Sequence, residues 1–247
     1  MGSVKVKFSG ITNTGLVREI NQDSFRIIER KGSDAPVFLI LADGMGGHNA
    51  GELASSLAVE YAAGKAEKAK ITKKNSPGFI TKTMNEANAL IYEKAQEDIA
   101  HIGMGTTMIM AIVGKDEISI GNVGDSRVYL IRGEEIKKIT TDHSLIEELV
   151  NSGAITKAEA ENHPSKNIIT KALGSCSEVL ADIYNFKTET GDKVLLCTDG
   201  LTNMVRENEI YSIMKETENP EESCRKLIEK ANEYGGEDNI TAIAVYF

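Results

Sequence analysis

Aspartates recur in this sequence at the ends of apolar segments, next to glycine or asparagine. Asp43-Gly44 follows one apolar run and Asp199-Gly200 follows another, and further carboxylates stand in Gly124-Asp125 and in Glu237-Asp238-Asn239. Each site alone has an ordinary explanation, because Asp-Gly is a common turn sequence. Together they suggest a second interpretation, in which several strand ends deliver carboxylates to one edge of a core.

That second interpretation predicts a metal site. Two carboxylates ~5 Å apart repel by about 3 kcal/mol at an effective dielectric constant near 20, so a cluster of them requires cations. The chain has four histidines, and its three cysteines are too widely spaced for a thiolate site. Oxygen ligands without thiolates select a hard ion, Mg²⁺ or Mn²⁺.

Three other motifs suggest chemistry but lack the residues that it needs. The glycine-rich stretch 43–51 has no lysine for a Walker loop, and Asn49 stands where a dinucleotide fingerprint needs Gly or Ala. Asp142-His143-Ser144 contains the residue types of a catalytic triad, but immediate succession does not generally allow a relay. Ser223-x-x-Lys226 lies within a predicted helix and has no companion motif of the penicillin-binding enzymes.

The first half of the chain predicts helices followed by strands. Helical periodicity covers about 49–70 and 77–100, and we predict Ser76 as the N-cap of the second helix with Pro77 at its first position. Short apolar or alternating runs then predict four strands between 107 and 139. Hairpin-length connections at 115–116 and 132–134 favour one antiparallel meander.

The second half predicts an insertion followed by the remaining elements. The segment from about 141 to 171 is polar and helical, with Thr156 and Glu159 as a capping box. Strands are predicted near 181–186, 194–198 and 240–247, and helices from about 207 and over 220–234. Because strands and helices come in blocks, the fold class is α+β rather than doubly wound, and no repeat or linker divides the single domain predicted for 1–247.

Composition excludes several classes of protein. Lys+Arg 28 against Asp+Glu 37 gives a formal charge of −9, which would repel nucleic acid. No apolar run reaches the roughly 18 residues of a membrane span. The odd number of cysteines predicts a reducing, cytoplasmic setting, with Cys197 simply buried in an apolar run.

Seven short motifs also follow one another along the whole chain. They are Arg18-x-x-Asn21-Gln22-Asp23, Asp43-Gly44-Met45-Gly46-Gly47-His48, Gly105-Thr106-Thr107, Val123-Gly124-Asp125-Ser126-Arg127, Ala172-Leu173-Gly174, Thr198-Asp199-Gly200 and Gly236-Glu237-Asp238-Asn239-Ile240-Thr241. The set resembles, in the family's order, the motifs of the metal-dependent type 2C (PPM) serine/threonine protein phosphatases, and most of all their bacterial branch.

The resemblance implies a four-layer α-β-β-α sandwich, in which helix pairs flank two antiparallel sheets and metals bind between the sheets at one end. It implies that Asp43 bridges two tightly bound Mn²⁺ or Mg²⁺ ions and that the Gly44 carbonyl binds the first. Asp199 and Asp238 would bind the second ion, with Asp23 close by, directly or through water.

The same resemblance implies a third, weaker ion held by Asp125 under a flap formed by roughly residues 141–171. It implies that Arg18 clamps the substrate phosphate, since a guanidinium can donate to two phosphate oxygens at once. Animal members carry a histidine where Met45 stands, and that histidine is proposed to protonate the leaving alkoxide. His48 is the candidate for this role here, although a metal-bound water is an alternative.

The function implied is hydrolysis of phosphoserine and phosphothreonine in proteins, by in-line attack of a hydroxide that bridges two metal ions. The expected partners are phosphorylated Ser/Thr proteins, including a cognate Ser/Thr kinase, and the protein is expected to be a monomer. A catalytically inactive pseudophosphatase that binds phosphoproteins is the alternative. A metal-dependent phosphodiesterase is a third hypothesis, disfavoured by the negative charge.

Overall fold

The strands form two antiparallel sheets in a computed structural model that describes residues 6–30, 32, 35–47, 50–161, 163–165 and 167–247. With strands numbered in chain order, the first sheet has the order β1 (Lys7–Asn13), β11 (Ile240–Tyr246), β10 (Lys193–Cys197), β7 (Arg127–Arg132), β8 (Glu135–Lys138). The second has the order β2 (Asp23–Glu29), β3 (Val37–Met45), β5 (Met108–Val113), β6 (Glu117–Val123), β9 (Asp182–Lys187), and the short β4 (Gly105–Thr106) pairs with the end of β3.

Strand β3 shows how the layers are built, because successive side chains of a strand point to opposite faces. Phe38 and Ile40 belong to a core shared with helices, whereas Leu39 and Leu41 belong to a core between the two sheets. All four are fully buried. An uninterrupted apolar run is therefore required here, since both faces of the strand are covered.

Helices cover both outer faces of the sandwich. Helices α1 (Ala50–Lys68) and α2 (Ser76–Glu97) pack on the second sheet, and α6 (Glu207–Glu216) and α7 (Pro220–Glu233) pack on the first. The short helices are α3 (Leu145–Asn151), α4 (Lys157–Glu161) and α5 (Asp199–Thr202). Small side chains let α1 approach its sheet closely, since Ala54, Ala58 and Ala62 form one buried stripe at a spacing of four. The predicted α+β sandwich is confirmed.

The prediction of one meander between 107 and 139 is wrong. Strands β5 and β6 form a hairpin in the second sheet, and β7 and β8 form a hairpin in the first. Between them, residues 124–126 carry the chain from one sheet to the other. Gly124 permits this turn with a φ of +106°, a left-handed conformation that a side chain would strain. Alternation of apolar and polar residues along a strand indicates which face of a sheet each side chain occupies, but not which sheet the strand joins.

Of the two predicted helix caps, the structure contradicts the one at Ser76 and confirms the one at Thr156. Ser76 is not the N-cap of α2, because the helix begins at Ser76 and Asn75 stands at the cap position, where its side chain makes no capping hydrogen bond. The Ser76 hydroxyl instead donates to the carbonyl of Thr72 at 3.0 Å. The capping box at Thr156 is confirmed, since Thr156 N donates to Glu159 Oε2 at 2.8 Å and Glu159 N donates to Thr156 Oγ1 at 3.3 Å.

The segment between β8 and β9 contains α3 and α4 and spans the predicted flap. Ser144 and Ile169, near the two ends of the predicted flap, form an isolated β-bridge. No helix within the described ranges is long and apolar enough to cross a membrane. Cys197 is fully buried, so its predicted burial is confirmed, and burial raises the pKa of its thiol to about 12.

Candidate metal centre

Two of the predicted ligands lie opposite each other on neighbouring strands. Asp23 begins β2 and pairs in register with Asp43 near the end of β3. The backbone of Asp43 is held on its other side, where its N–H donates to Thr107 Oγ1 at 3.0 Å and its carbonyl accepts from Thr107 N at 2.8 Å. Asp43 is therefore part of an extended strand rather than the turn that Asp-Gly alone suggests.

The Asp23 carboxylate is buried and only partly satisfied. Its Oδ2 accepts hydrogen bonds from Thr198 Oγ1 at 2.9 Å and Thr241 Oγ1 at 2.6 Å. Its Oδ1 is buried and has no hydrogen-bond partner among the described residues. Burial, opposed by the two hydroxyls and reinforced by Asp199 and Asp238, raises the pKa of Asp23 to about 7.

Two further aspartates reach the site from the first sheet. Asp199 follows β10 as the first residue of α5, and Asn203 Nδ2 donates to its Oδ2 at 2.9 Å. Asp238 lies just before β11, and its Oδ1 accepts from the N–H of Asn239 at 2.8 Å. Burial, and then the charge of Asp238, raises the pKa of Asp199. The two sheets thus contribute carboxylates to the same end of the sandwich.

Asp125 comes from the turn that crosses between the sheets. It is 7% exposed, and its Oδ1 is buried without a hydrogen-bond partner in the described part of the chain. Burial raises the pKa of Asp125 to about 7, and the charges of Asp199 and Asp142 act in the same direction. A buried acceptor oxygen without a donor costs folding free energy, and a cation bound to that oxygen would remove the cost.

The electrostatics of Asp43 unite the cluster. Burial raises the pKa of Asp43 well above its usual value, and four other carboxylates raise it further, namely Asp23, Asp199, Asp125 and Asp238. At separations of ~5 Å each such pair costs about 3 kcal/mol at an effective dielectric constant near 20. The other four carboxylates therefore lie close enough to Asp43 to raise its pKa together, which is the shared electrostatic field of the cluster.

The donor set fits hard divalent cations. It consists of carboxylate oxygens, with two buried Oδ1 atoms lacking partners, and such oxygens are the ligands that Mg²⁺ and Mn²⁺ prefer. Among the described residues, no three Asp, Glu, His or Cys side chains close around one point as a coordination shell does. The carboxylates share one field without forming that shell, so the ligand roles stay predictions.

Gly44 joins the site to the first turn of α1. Its N–H donates to the carbonyl of Gln22 at 3.0 Å. A Cβ on Gly44 would stand 1.9 Å from the carbonyl oxygen of Gly51, so only glycine allows this approach. The backbone, rather than a side chain, is what this position presents to the cluster.

Arg18 lies beside the cluster, with one of its donors engaged. Its Nη2 donates to Asp238 Oδ2 at 2.8 Å, and its side chain is 50% exposed. The loop that carries it is fastened by Asn239, whose Nδ2 donates to the carbonyls of Thr14 at 2.9 Å and Ile20 at 3.0 Å. Arg18 is therefore held next to a predicted ligand and remains open to solvent.

The structure bears on part of what the sequence predicts for the glycine-rich loop and for residues 142–144. His48 lies outside the described residues. Met45 packs against the α-carbon of Gly105, since a Cβ there would stand 3.0 Å from Met45 Cε. Asp142, His143 and Ser144 form no relay: Asp142 accepts from Arg127 Nε at 2.9 Å, and Ser144 caps α3 by accepting from Glu147 N.

Sequence reasoning missed the residues that hold the ligands. Thr198 and Thr241 stood in the motifs with no assigned role, yet both donate to Asp23. Thr107 supports Asp43, and Asn239 fastens the Arg18 loop. Thr198, Asn239 and Thr241 lie close in sequence to a predicted ligand, and Thr107 belongs to a Gly-Thr-Thr motif. This proximity was the signal available in the sequence, but the hydrogen-bond partner of each residue lies 64 to 225 residues away along the chain.

Comparison with known proteins agrees with this geometry. The family described as Protein phosphatase 2C matches residues 17–233. The serine/threonine phosphatase stp of Listeria monocytogenes is 42% identical over 236 residues, covering 95% of this chain and 93% of that protein. The crystal structure of serine/threonine phosphatase Stp1 from Staphylococcus aureus superposes with a TM-score of 0.94 at 34% identity, covering 99% of this chain and 96% of that one.

A further solved structure bears on the metals. It is the catalytic domain of the serine/threonine protein phosphatase PstP in complex with two manganese ions, with a TM-score of 0.85, 32% identity, and coverage of 98% of this chain and 97% of that one. Sequence, fold and family profile all agree. The chain therefore belongs to the protein phosphatase 2C family of serine/threonine phosphatases, in its bacterial branch.

Proposed function

We propose that this phosphatase hydrolyses phosphoserine and phosphothreonine in proteins by direct transfer of the phosphoryl group to water, without a phosphoenzyme. The observation that carries the proposal is the shared field of five aspartates with Arg18 beside it. When bound, two Mn²⁺ or Mg²⁺ ions would supply the hydroxide for in-line attack and offset charge on the phosphoryl group, and a third ion would bind more weakly.

The chain's own residues divide into two groups in this proposal. Asp43, the Gly44 carbonyl, Asp199, Asp238 and Asp23 hold the tight pair of ions, and Asp125 holds the third. The two carboxylate oxygens without partners, on Asp23 and Asp125, support this division because each ion group then includes one of them. A solved relative that contains two manganese ions supports the tight pair.

Arg18 is proposed to bind the substrate phosphate. Its ion pair with Asp238 is exposed by 50% and 37%, and exposed pairs contribute only about 0–1 kcal/mol. A phosphate dianion offers two oxygens to the planar guanidinium, so the exchange of partners is inexpensive. Arg18 thus orients the phosphoryl group at the edge of the carboxylate cluster.

Met45 has no proton to donate, so His48 is the proposed acid for the leaving alkoxide, with a metal-bound water as the alternative. One general acid typically contributes about 10² to 10⁴-fold, a small part of the acceleration that phosphate monoester hydrolysis needs. The loss of His48 is therefore expected to reduce activity without abolishing it.

The wider setting follows the same proposal. Residues 1–247 form one catalytic domain, with the 141–171 flap beside Asp125. Relatives called serine/threonine phosphatase and protein phosphatase support phosphoproteins as partners. A cognate Ser/Thr kinase among those partners, a monomeric state and a cytoplasmic location remain proposals.

The test is release of inorganic phosphate from a phosphothreonine peptide by metal-free protein, with and without added Mn²⁺, and again after chelation. We expect activity only with Mn²⁺, reversible loss with chelator, and no activity on bis-p-nitrophenyl phosphate. Binding of Mn²⁺ with no turnover of any phosphopeptide would favour the pseudophosphatase. Turnover of the diester alone would favour the phosphodiesterase.

A further inference from the structure

His143 and the crossover turn are joined by two hydrogen bonds. The N–H of Gly124 donates to His143 Nδ1 at 3.0 Å, and the N–H of His143 donates to the carbonyl of Gly124 at 3.0 Å. His143 is 9% exposed, so water does not readily replace either bond. The residue after Gly124 is Asp125, whose carboxylate has a buried oxygen without a partner in the described residues.

The other ring nitrogen of His143 is held by β9. Because Nδ1 accepts from Gly124, the neutral ring carries its proton on Nε2, which lies 3.2 Å from Asp182 Oδ2. Lys171 Nζ lies 3.2 Å from the same nitrogen, but in this tautomer both groups are donors, and the lysine is instead paired with Asp182 Oδ1 at 3.5 Å. Burial lowers the pKa of His143, which favours the neutral ring that this arrangement needs.

His143 also joins the two ends of the flap. Its carbonyl accepts from the N–H of Thr170 at 2.9 Å, next to the bridge between Ser144 and Ile169. The turn that it holds rests on Thr107, since a Cβ on Gly124 would stand 2.5 Å from Thr107 Cγ2. Thr107 supports Asp43, so one residue separates the crossover turn from the strand-held part of the cluster.

We propose that His143 is a positioning residue, which fixes the Gly124–Asp125 turn and thereby sets the affinity of the third, weaker cation. It touches no reacting atom and acts through the backbone of Gly124. A glycine in a left-handed conformation, followed by a carboxylate with one buried oxygen that lacks a partner among the described residues, needs surroundings that hold its geometry, and the double contact from His143 provides that restraint. This inference rests on the proposed role of Asp125.

Two variants separate the functions of the two ring nitrogens. In His143→Asn, the amide oxygen lies where Nδ1 lies and can accept from Gly124 N–H, but nothing reaches Asp182. In His143→Gln, the amide nitrogen can reach Asp182, but the acceptor for Gly124 is lost. His101→Gln is the matched control, because His101 Nδ1 contacts the carbonyl of Lys94 and lies outside the proposed site.

The measurements are Mn²⁺ titration calorimetry on metal-free protein, hydrogen exchange of the Gly124 amide, and phosphopeptide turnover against Mn²⁺ concentration. We expect His143→Gln to weaken the third ion by about three- to tenfold and to speed Gly124 exchange, with the tight pair unchanged. His143→Asn should stay close to the parent protein in its affinity for the third ion and in its rate of Gly124 exchange. The control should equal the parent protein throughout.

Three results overturn the inference: equal weakening in the Asn and Gln variants, weakening of the tight pair together with the third ion, or no change in His143→Gln. Asp125→Ala, measured in parallel, distinguishes failure of the inference from failure of the proposed function. If Asp125→Ala removes the weak ion while His143→Gln does not, only the role of His143 is wrong. If Asp125→Ala leaves all Mn²⁺ binding unaltered, the proposed third site is wrong, and the role of His143 falls with it.

Discussion

Asp43 and Asp125 belong to one charge cluster but are held in different ways. Asp43 lies within β3, between β2 on one side and Thr107 on the other, so the sheet itself fixes its backbone. Asp125 lies in a three-residue crossover, positions 124–126, where a hydrogen bond between the Ser126 and Thr107 hydroxyls and one from Gly124 N–H to His143 supply the restraint. A ligand in a strand is positioned by the fold, whereas a ligand in a crossover depends on a few named contacts.

This contrast predicts the largest effect for Asp43→Asn. The substitution keeps the shape of the side chain but removes the charge proposed to bridge the tight ions. Turnover of a phosphothreonine peptide should fall by at least about 10³-fold, and calorimetry should show loss of the paired Mn²⁺ sites. The far-ultraviolet circular dichroism should not change, because the backbone bonds of Asp43 remain. Two tight sites with near-normal turnover would contradict the binuclear assignment.

Asp125→Ala is expected to have a smaller and different effect. The tight pair should persist, while turnover falls by about a hundredfold and the Mn²⁺ concentration for half-maximal activity rises. Calorimetry with Mn²⁺, run beside turnover, checks both parts. If both aspartates were ordinary turn residues, the two variants would lose a little stability and have similar, small effects on rate. Similar losses in Asp43→Asn and Asp125→Ala would therefore remove the distinction.

Arg18→Ala tests a residue that lies beside both parts of the cluster. The loss of a charge-assisted pair typically costs about 1.5–3 kcal/mol, or roughly ten- to two-hundredfold in kcat/KM for a phosphopeptide. Mn²⁺ binding should be unchanged or slightly tighter, because Asp238 loses its competing partner. Arg225→Ala, which breaks an exposed ion pair within α7, is the matched control. A loss below twofold would make Arg18 an ordinary surface residue.

Local patterns in the sequence predicted most of the fold, and the main error concerns which sheet a strand joins. The helix 76–97 follows from periodicity and the capping box of Thr156 from capping chemistry, both set by neighbouring residues, although the N-cap predicted at Ser76 is displaced by one residue. The crossover at 124–126 was missed because a short connection with glycine looks the same whether the next strand pairs beside the last one or joins another sheet. That choice depends on β10, about 70 residues further along the chain.

The candidate site divides in the same way. Aspartates at strand ends were visible in sequence, and so was the preference of their oxygens for hard cations. The groups that orient them were not, because Thr241 meets Asp23 across 218 residues and Thr198 meets it across 175. A hydroxyl near a predicted ligand in sequence has no distinguishing pattern until the topology places it, which is why sequence analysis gave candidate ligands but not the residues that support them.

The smallest effect concerns stability without metal, and it compares a strand carboxylate with the crossover carboxylate. Burial raises the pKa of both Asp23 and Asp125 to about 7, whereas in the unfolded chain each loses its proton near 3.8. Between these values the folded state binds protons that the unfolded state has released. Each group therefore destabilises the metal-free protein increasingly as pH rises from about 4 to about 7.

Asp23→Asn should then stabilise metal-free protein at pH 8 by a few kcal/mol at most, and the gain should shrink steadily towards pH 4.5. Asp125→Asn should gain less at pH 8, because the crossover can relax and expose its carboxylate to water while a strand cannot. Urea unfolding in chelator at pH 8, 6 and 4.5 measures both. In saturating Mn²⁺ the wild-type protein should be more stable than Asp23→Asn, because bound Mn²⁺ stabilises the wild-type protein and the variant loses part of that stabilisation. Equal gains for the two variants would show that strand and crossover hold their carboxylates alike, and gains independent of pH would show that folding does not raise these pKa values.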